Sequence, residues 1–160
     1  MAQDHKTSAY PHRWAFMNGF QVRKSNGPFL DRLRLVQTPL FGVYLHRIHQ
    51  PDVDRDPHDH PWPFMSVILS GSYEERVWAG KGRVRNDVHS MGFLRRRGSV
   101  HLMSQGRAHK ITEVRGQLWT LVITGRRSRD WGFWTIDGFV PWREYLGGDE
   151  TGGEKALWGS

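Results

Sequence analysis

The segment PHDHPWPFMSVIL, residues 57–69, constrains this chain more than any other part of the sequence. It places His58 and His60 two residues apart, between Pro57 and Pro61, directly before an apolar run. In an extended chain, side chains i and i+2 point to the same side. His58 and His60 can therefore direct both imidazoles at one point, as two neighbouring metal ligands must. The alternative is a polar loop that is rich in histidine by chance, because the chain has nine histidines.

Composition limits the class of protein. A chain of 160 residues is expected to fold as one domain, residues 1–160, with a real core. The 18 glycines and 8 prolines argue against a helical bundle, and the 8 Trp, 8 Phe and 4 Tyr residues argue against disorder. The absence of cysteine excludes disulfides, zinc–cysteine sites and thiol catalysis. Any metal must therefore be bound by His, Asp or Glu.

The charge balance is basic, and arginine dominates it. The net charge of +7 includes clusters at residues 95–97 and at Arg126, Arg127 and Arg129. Such a balance is compatible with nucleic acid or an anionic small molecule, and equally with a solvated basic surface. No nucleic-acid-binding motif accompanies it, so the charge is the only argument for a nucleic-acid partner. The N-terminus lacks a signal-peptide core and no apolar run is long enough for a membrane span, which predicts a cytoplasmic protein without a membrane partner.

The hydrophobic pattern predicts short strands that are separated by glycine turns. Residues 1–28 are expected to be an irregular lead-in that ends in a turn at residues 26–28, and residues 29–36 fit either a short helix or an edge strand. We predict strands over residues 41–48, 64–69, 73–78, 93–97 and 118–124. This spacing favours an all-β barrel or sandwich.

Turns and loops are predicted between these strands. Gly71-Ser72 and Arg115-Gly116 are expected to be tight turns, and residues 79–83 a flexible one. Gly98 is expected to open a loop that closes near His109. The aromatic tail, residues 125–160, is expected to pack across the outside or mouth of the barrel and to fray at its end.

Two motifs in this order resemble those of the cupin superfamily. In the first motif, His58, His60 and Gly71 match the His-x-His pair and its glycine, while Phe64 stands where cupins have a ligand glutamate. In the second motif, the matching positions are Gly98, Ser104, Gly106 and His109, with Ser104 in place of a proline. The resemblance covers a barrel core of about residues 41–124. The whole chain also looks like small cupin-like proteins of phages and actinobacteria.

The resemblance implies a double-stranded β-helix, or jelly-roll barrel, with a divalent metal bound by His58, His60 and His109. Three imidazoles suit Fe(II), which is favoured here, and also Mn, Ni, Cu or Zn. Cysteine dioxygenase-like cupins use three histidines as well. The His-x-His pair argues against a 2-oxoglutarate oxygenase, which normally needs His-x-Asp or His-x-Glu. By analogy with other cupins, a homodimer is expected.

Several residues are candidates for acid–base chemistry. One of Glu74 and Glu75 is a candidate to face inward as a substitute ligand or general base; the alternative is one exposed and one salt-bridged residue. Glu113 shares side-chain parity with His109. His101 is a rival third ligand or a base. Less specific candidates are His46 and His49, which are expected at the surface or in loops, although His46 is also in reach of the interior.

Substrate binding is predicted at Arg126, Arg127 and Tyr73. The two arginines follow the last predicted strand and suit a carboxylate or phosphate near the barrel mouth. Tyr73 is a candidate proton donor, with a packed strand aromatic as the alternative.

Three functions remain open from the sequence. The first is a metal-dependent oxygenase that acts on a small, anionic substrate. The second is a non-redox enzyme, such as a sugar or sugar-phosphate isomerase or epimerase, which needs a well-placed base. The third is a non-catalytic binding module.

Overall fold

The computed structural model describes residues 15–24, 27–79 and 90–146. These residues form nine strands and one short helix. The strands are β1 (Ala15–Lys24), β2 (Gly27–Gln37), β3 (Gly42–Ile48), β4 (Phe64–Trp78), β5 (Ser90–Arg96), β6 (Val100–Met103), β7 (His109–Thr124), β8 (Gly132–Thr135) and β9 (Gly138–Pro141). Helix α1 (Trp142–Tyr145) follows β9 directly. In this part of the chain no helix meets the length and hydropathy that a membrane crossing needs.

Two long antiparallel strands, β4 and β7, form the centre of the sheet, whose order is β1-β2-β3-β7-β4-β5. The first half of β4 also pairs with β6, and its second half pairs with β5. The sheet folds onto itself, because Tyr73 in the second half of β4 contacts His101 on β6, with ring centroids 6.4 Å apart. This arrangement is an all-β, antiparallel jelly roll, as the sequence predicts.

The two predicted turns inside β4 and β7 are wrong. Both strands run on through Gly71 and Gly116, which have φ values of 69° and 71°. The register of the β4–β7 pair shifts on both sides of Ser70, so an irregularity takes the place of a chain reversal. A glycine with positive φ is therefore a signal of a strand bend here as well as of a turn.

The N-terminal lead-in also differs from the prediction, because residues 15–24 form the regular strand β1. Residues 29–36 belong to β2, which pairs with β1 on one side and with β3 on the other, so they are neither helix nor edge strand. The loop expected after Gly98 contains strand β6. The expected flexible turn lies mostly outside the described residues, and residues 147–160 of the tail lie outside them completely.

Two clusters of buried apolar side chains hold the described structure together. Ile68, Tyr73, Ile111 and Leu118 pack between the halves of β4 and β7. Trp131, Phe133 and Trp142 form the second cluster in the aromatic tail, where the rings of Trp131 and Trp142 stack with centroids 5.8 Å apart. The described part of the tail is therefore an ordered layer of the fold.

Gly71→Ala is expected to lower the free energy of unfolding by about 1–3 kcal/mol, because a side chain is strained at positive φ. An added Cβ would also lie 2.7 Å from the Gln117 carbonyl oxygen. Urea unfolding followed by circular dichroism measures the change. Gly92→Ala in β5 is the control, because an added Cβ there meets nothing within 4 Å. Equal stability of the two variants would contradict the bend at Gly71.

Candidate metal centre

Three histidines from two separate segments meet inside the fold. His58 and His60 lie in the loop between β3 and β4, and His109 is the first residue of β7. One ligand atom from each of the three lies within 4.8 Å of the others, an arrangement that can hold a metal ion. The ring centroids of His58 and His109 are 4.7 Å apart, and those of His60 and His109 are 5.0 Å apart. The structure therefore brings together the three predicted ligands.

Backbone hydrogen bonds hold the histidine loop against β7. The His58 N–H donates to the His109 carbonyl at 3.0 Å, and the His109 N–H donates to the His58 carbonyl at 2.9 Å. The Gly106 N–H donates to the His60 carbonyl at 3.3 Å. Gly106 has a φ of 70°, which explains why glycine suits this position of the second motif. The two motifs are thus hydrogen-bonded to each other through their main chains.

The distance between two ring nitrogens fits a shared metal. Nε2 of His60 and Nε2 of His109 are 2.9 Å apart. Two imidazole nitrogens that bind one metal at about 2.1 Å are about 3.0 Å apart in octahedral geometry and about 3.4 Å apart in tetrahedral geometry. Burial, the neighbouring His109 and the charge of Arg32 hold the pKa of His60 well below its usual value, so this ring is neutral. Neutral imidazole is the form that binds metals.

Glu75 is the inward-facing member of the Glu74-Glu75 pair. Its Oε1 accepts a hydrogen bond from His109 Nδ1 at 2.8 Å, and its Oε2 accepts one from Arg95 Nε at 3.0 Å. Burial opposes ionisation of Glu75, but the hydrogen bond and charge of His109 lower its pKa overall. With its proton on Nδ1, His109 presents Nε2 towards Nε2 of His60. Glu75 is therefore a positioning residue for a ligand, whereas Glu74 is the exposed member of the pair.

The same carboxylate acts on the pKa of His109. Burial alone lowers that pKa, but the hydrogen bond from the ring to Glu75 and the negative charge of Glu75 raise it overall. A carboxylate behind a ligand histidine fixes the tautomer and increases the basicity of the ring. Asp52 is placed similarly near His58, with Oδ2 3.8 Å from Nδ1, and it also accepts the Ile111 N–H at 2.8 Å.

Asp59 faces away from the two histidines that flank it and binds the aromatic tail. Its carboxylate accepts hydrogen bonds from the Gly132 N–H and from Trp134 Nε1, both at 3.0 Å, and it forms an ion pair with Arg129. The side chain is completely buried. Asp59 therefore fixes the extended conformation that lets His58 and His60 point inward together.

Phe64 occupies the position where the cupin motif has a glutamate. Its ring lies against His60 and His109, with centroids 5.0 and 6.1 Å away. It also contacts His101, at 6.2 Å. An apolar ring therefore stands where the cupin motif has an anionic fourth ligand. A metal that is bound by the three histidines alone would receive no negative charge from its protein ligands.

His101 and Tyr73 form a buried pair beyond Phe64. The Tyr73 hydroxyl is 3.4 Å from His101 Nε2, and no hydrogen-bond partner is found for the buried His101 Nδ1 among the described residues. Burial lowers the pKa of His101 to about 4, although the charge of Glu75 opposes this shift. Burial also raises the pKa of Tyr73. His101 lies outside the three-histidine group, and both side chains are neutral.

Glu74 and Glu113 are not brought to the histidines. Both side chains are exposed and bind the same guanidinium, that of Arg115, at 2.7 Å. Successive side chains of a strand point to opposite faces, so Glu74 points outward whereas Glu75 points inward. Glu113 shares parity with His109 along the strand, but register shifts between β4 and β7, one of them at Glu74/Glu75, break the simple alternation in this region. The two predicted bases thus lie on the outer face.

The predicted substrate arginines lie in the segment after β7. Arg126 is exposed, and Arg127 donates to Asp130 Oδ1 at 3.0 Å.

The two remaining histidine candidates lie outside the three-histidine group. Nε2 of His49 is 2.7 Å from Oδ2 of Asp31, whereas His46 is buried on the inner face of β3. The sequence did not indicate a role at the site for Asp52, Asp59 or Arg95, and Arg95 was expected only as part of a basic cluster. The alternation His-Asp-His could have indicated that Asp59 faces a different partner.

Comparisons with known proteins support the fold alone. No family model matches the chain, and no curated protein matches it. A structure of Fe(II) HppE matches 78% of this chain and 62% of that chain, with a TM-score of 0.53 and 13% identity. Oxalate decarboxylase from Bacillus subtilis matches 81% of this chain, with a TM-score of 0.54 and 13% identity. Hydroxypropylphosphonic acid epoxidase from S. wedmorenis matches 72% of this chain and 64% of its own, with a TM-score of 0.50 and 14% identity.

The chain has a cupin fold, because these neighbours are cupin-fold proteins and the described residues form an antiparallel, nearly all-β structure. It spans only 62% of HppE and 31% of oxalate decarboxylase. The cupin fold and the three-histidine group together support a metal-binding cupin.

Glu75→Gln is expected to weaken metal binding about 10- to 100-fold, because His109 loses the anion that orients it and raises its basicity. Competition with a chromophoric chelator measures the affinity for Zn(II) or Co(II). Glu74→Gln is the matched control, since this neighbouring carboxylate is exposed and is expected to leave the affinity unchanged. Equal affinities of all three proteins would remove Glu75 from the metal centre.

Asp59→Asn is expected to destabilise the fold by about 2–3 kcal/mol, because an amide replaces an anionic acceptor of several buried hydrogen bonds. Thermal and urea unfolding measure the loss, with the exposed Asp137→Asn as the control. The same variant is expected to bind metal more weakly, since the loop that carries His58 and His60 loses its anchor. Unchanged stability would show that the tail does not hold this loop.

Proposed function

We propose that this protein is a metal-dependent oxygenase of the three-histidine type, which binds Fe(II) and acts on a small, anionic substrate. The observation that carries the proposal is the convergence of His58, His60 and His109 within 4.8 Å. Three neutral imidazoles suit Fe(II) and leave coordination positions for further ligands. The fold neighbour described as Fe(II) HppE adds support for iron. Fe(II) bound here would supply the redox chemistry that activates O2.

The residues around the ligands suit this chemistry. Phe64 lines the site with an apolar ring and limits the access of water from that side. Tyr73 and His101 offer a neutral hydroxyl and a neutral imidazole, 3.4 Å apart, that can give and take a proton at Oη and Nε2. Glu75 holds His109 in one tautomer. Each of these roles belongs to a side chain that faces the interior.

A non-redox isomerase or epimerase is the second candidate, and His101 favours it. Such a reaction needs a base that is unprotonated near pH 7. Burial keeps the pKa of His101 at about 4, and its Nδ1 lacks a hydrogen-bond partner among the described side chains. In this candidate the metal would be Zn, Mn or Ni. The homodimer, the cytoplasmic location and any nucleic-acid partner stay predictions.

The test is metal analysis of protein that is purified without an affinity tag or chelator, followed by O2-consumption assays. Near-stoichiometric iron and O2 uptake that depends on a small carboxylate or phosphoryl compound are expected. His58→Ala together with His60→Ala is expected to abolish both while the far-ultraviolet circular dichroism spectrum is kept. His49→Ala is the matched control, because His49 bonds to Asp31 away from the cluster.

Two results would contradict the oxygenase. Bound zinc, manganese or nickel that is lost in the double variant, without iron-dependent O2 uptake, would favour the isomerase. Protein that binds no metal even after reconstitution would leave the binding module as the function. Metal that stays bound in the double variant would show that the ligand assignment is wrong.

A further inference from the structure

Two rows of aliphatic side chains cross the outer face of the sheet, on strands β2, β3, β7, β4 and β6. In each row, every residue pairs in register with its neighbour on the next strand. The first row consists of Leu33, Leu45, Leu121, Val67 and Val100. The second row consists of Val36, Val43, Ile123, Met65 and Leu102. We call the side chains of these two rows the aliphatic face.

The aliphatic face points away from the interior of the fold. Along β4 and β6, its members alternate with Ser66 and His101, which are buried. None of the side chains in the two rows is buried, and Val100 and Leu102 expose 58% and 79% of their surfaces. This part of the sheet is therefore apolar on the side that the described structure leaves accessible to solvent.

The outer face of the two central strands is charged beyond the bend at Gly71. Glu74 and Arg76 on β4 pair in register with Glu113 and Lys110 on β7. An antiparallel sheet with one solvated face normally carries polar residues on that face, and this half of the two strands follows the pattern. Two rows without a charged residue, in the other half, are typical of a sheet that is covered on both faces. The aliphatic face therefore has the composition of a contact surface.

A second copy of this chain fits the aliphatic face better than the terminal segments outside the described residues. The large apolar side chains of residues 1–14 are Met1, Tyr10 and Trp14, and those of residues 147–160 are Leu157 and Trp158. Neither segment has enough of them to cover two rows across five strands. A two-fold axis brings the same surface of two copies together, so a second copy supplies matching aliphatic rows. Nucleic acid does not suit this face, because its phosphates need cationic side chains.

The aliphatic face and its border have the size that a stable interface needs. Specific interfaces bury about 800 Å² on each partner with about 20–30 residues, and their lower limit is about 500 Å², which at the same density needs about 12–19 residues. The two rows reach this limit together with three adjoining residues on the outer face, Leu69, Arg47 and Trp119. The guanidinium carbon of Arg47 lies 5.8 Å from the Trp119 ring centroid. An apolar centre with such a polar border is typical of protein interfaces.

We propose that the aliphatic face is the interface of a homodimer, in which the sheets of two copies pack face to face about a two-fold axis. Stacked sheets lie about 10 Å apart, a spacing that side chains from both faces fill. Phe64 contacts His60 and His109 on the opposite side of the sheet, so each copy keeps its own metal centre. The dimer forms through apolar contact and does not depend on bound metal.

Sedimentation velocity of the full chain, over a range of protein concentrations, measures the dimer. Wild type is expected to be dimeric at micromolar concentration. Val100→Lys with Leu102→Lys is expected to raise the dissociation constant at least tenfold, because the dimer would bury the added charges in an apolar contact. Met91→Lys with Leu94→Lys is the matched control, since both residues are 52% exposed on β5, outside the aliphatic face. This pair is expected to change the dissociation constant less than twofold.

A second measurement locates the contact by thiol labelling, because the chain contains no cysteine. The thiol introduced by Leu102→Cys is labelled with N-ethylmaleimide at protein concentrations above and below the dissociation constant. Labelling is expected to be at least fivefold slower in the dimer, where the partner covers this position. Leu94→Cys is the control and is expected to label at nearly the same rate at both concentrations.

Three outcomes would overturn the homodimer interface. Wild type that stays monomeric at every concentration would do so, and slow labelling of Leu102→Cys in that monomer would show that another segment of the same chain covers the aliphatic face. Equal weakening of the dimer by the two lysine pairs would show an effect of net charge alone. A dimer in which Leu102→Cys labels at the monomer rate would place the contact on another surface.

Discussion

The antiparallel bridge between His58 and His109 is the interaction on which the rest of the site depends. Its two backbone hydrogen bonds join a loop to the first residue of β7, although 51 positions of sequence separate the two histidines. The bridge places the imidazoles of two residues that are distant in the sequence next to each other. Because main-chain groups make it, it leaves all three rings available as ligands. The side chains behind the rings, Glu75 and Asp59, then fix which way the rings face.

The interior is divided by charge. On the side of β4 and β5, Glu75 is held between His109 and Arg95, so negative charge stands behind a ligand. On the side of β2 and β3, the guanidinium of Arg32 carries positive charge and donates a hydrogen bond to His46.

Local patterns predicted the strands but not where they bend. Strand alternation and glycine spacing located β3, β5, both ends of β4 and the C-terminal part of β7. The same glycines, Gly71 and Gly116, were misread as turns because positive φ serves both a reversal and a bend. Only pairing along the full length of β4 and β7 separates these possibilities, and pairing is a long-range property. The strand in residues 15–24 also depends on its partner β2.

The sequence by itself determined the fold class and singled out the three histidines that meet in the structure, because the His-x-His spacing and the second motif, which carry the resemblance to cupins, are local patterns. Tertiary structure alone decided which charged residues serve the site. Glu74 and Glu75 are adjacent in sequence, yet strand parity sends one to solvent and the other to His109. Arg34 and Arg126 are chemically identical, yet only burial on an inner sheet face gives one of them an enclosed position. Burial and partner choice depend on packing between distant segments, which no short pattern encodes.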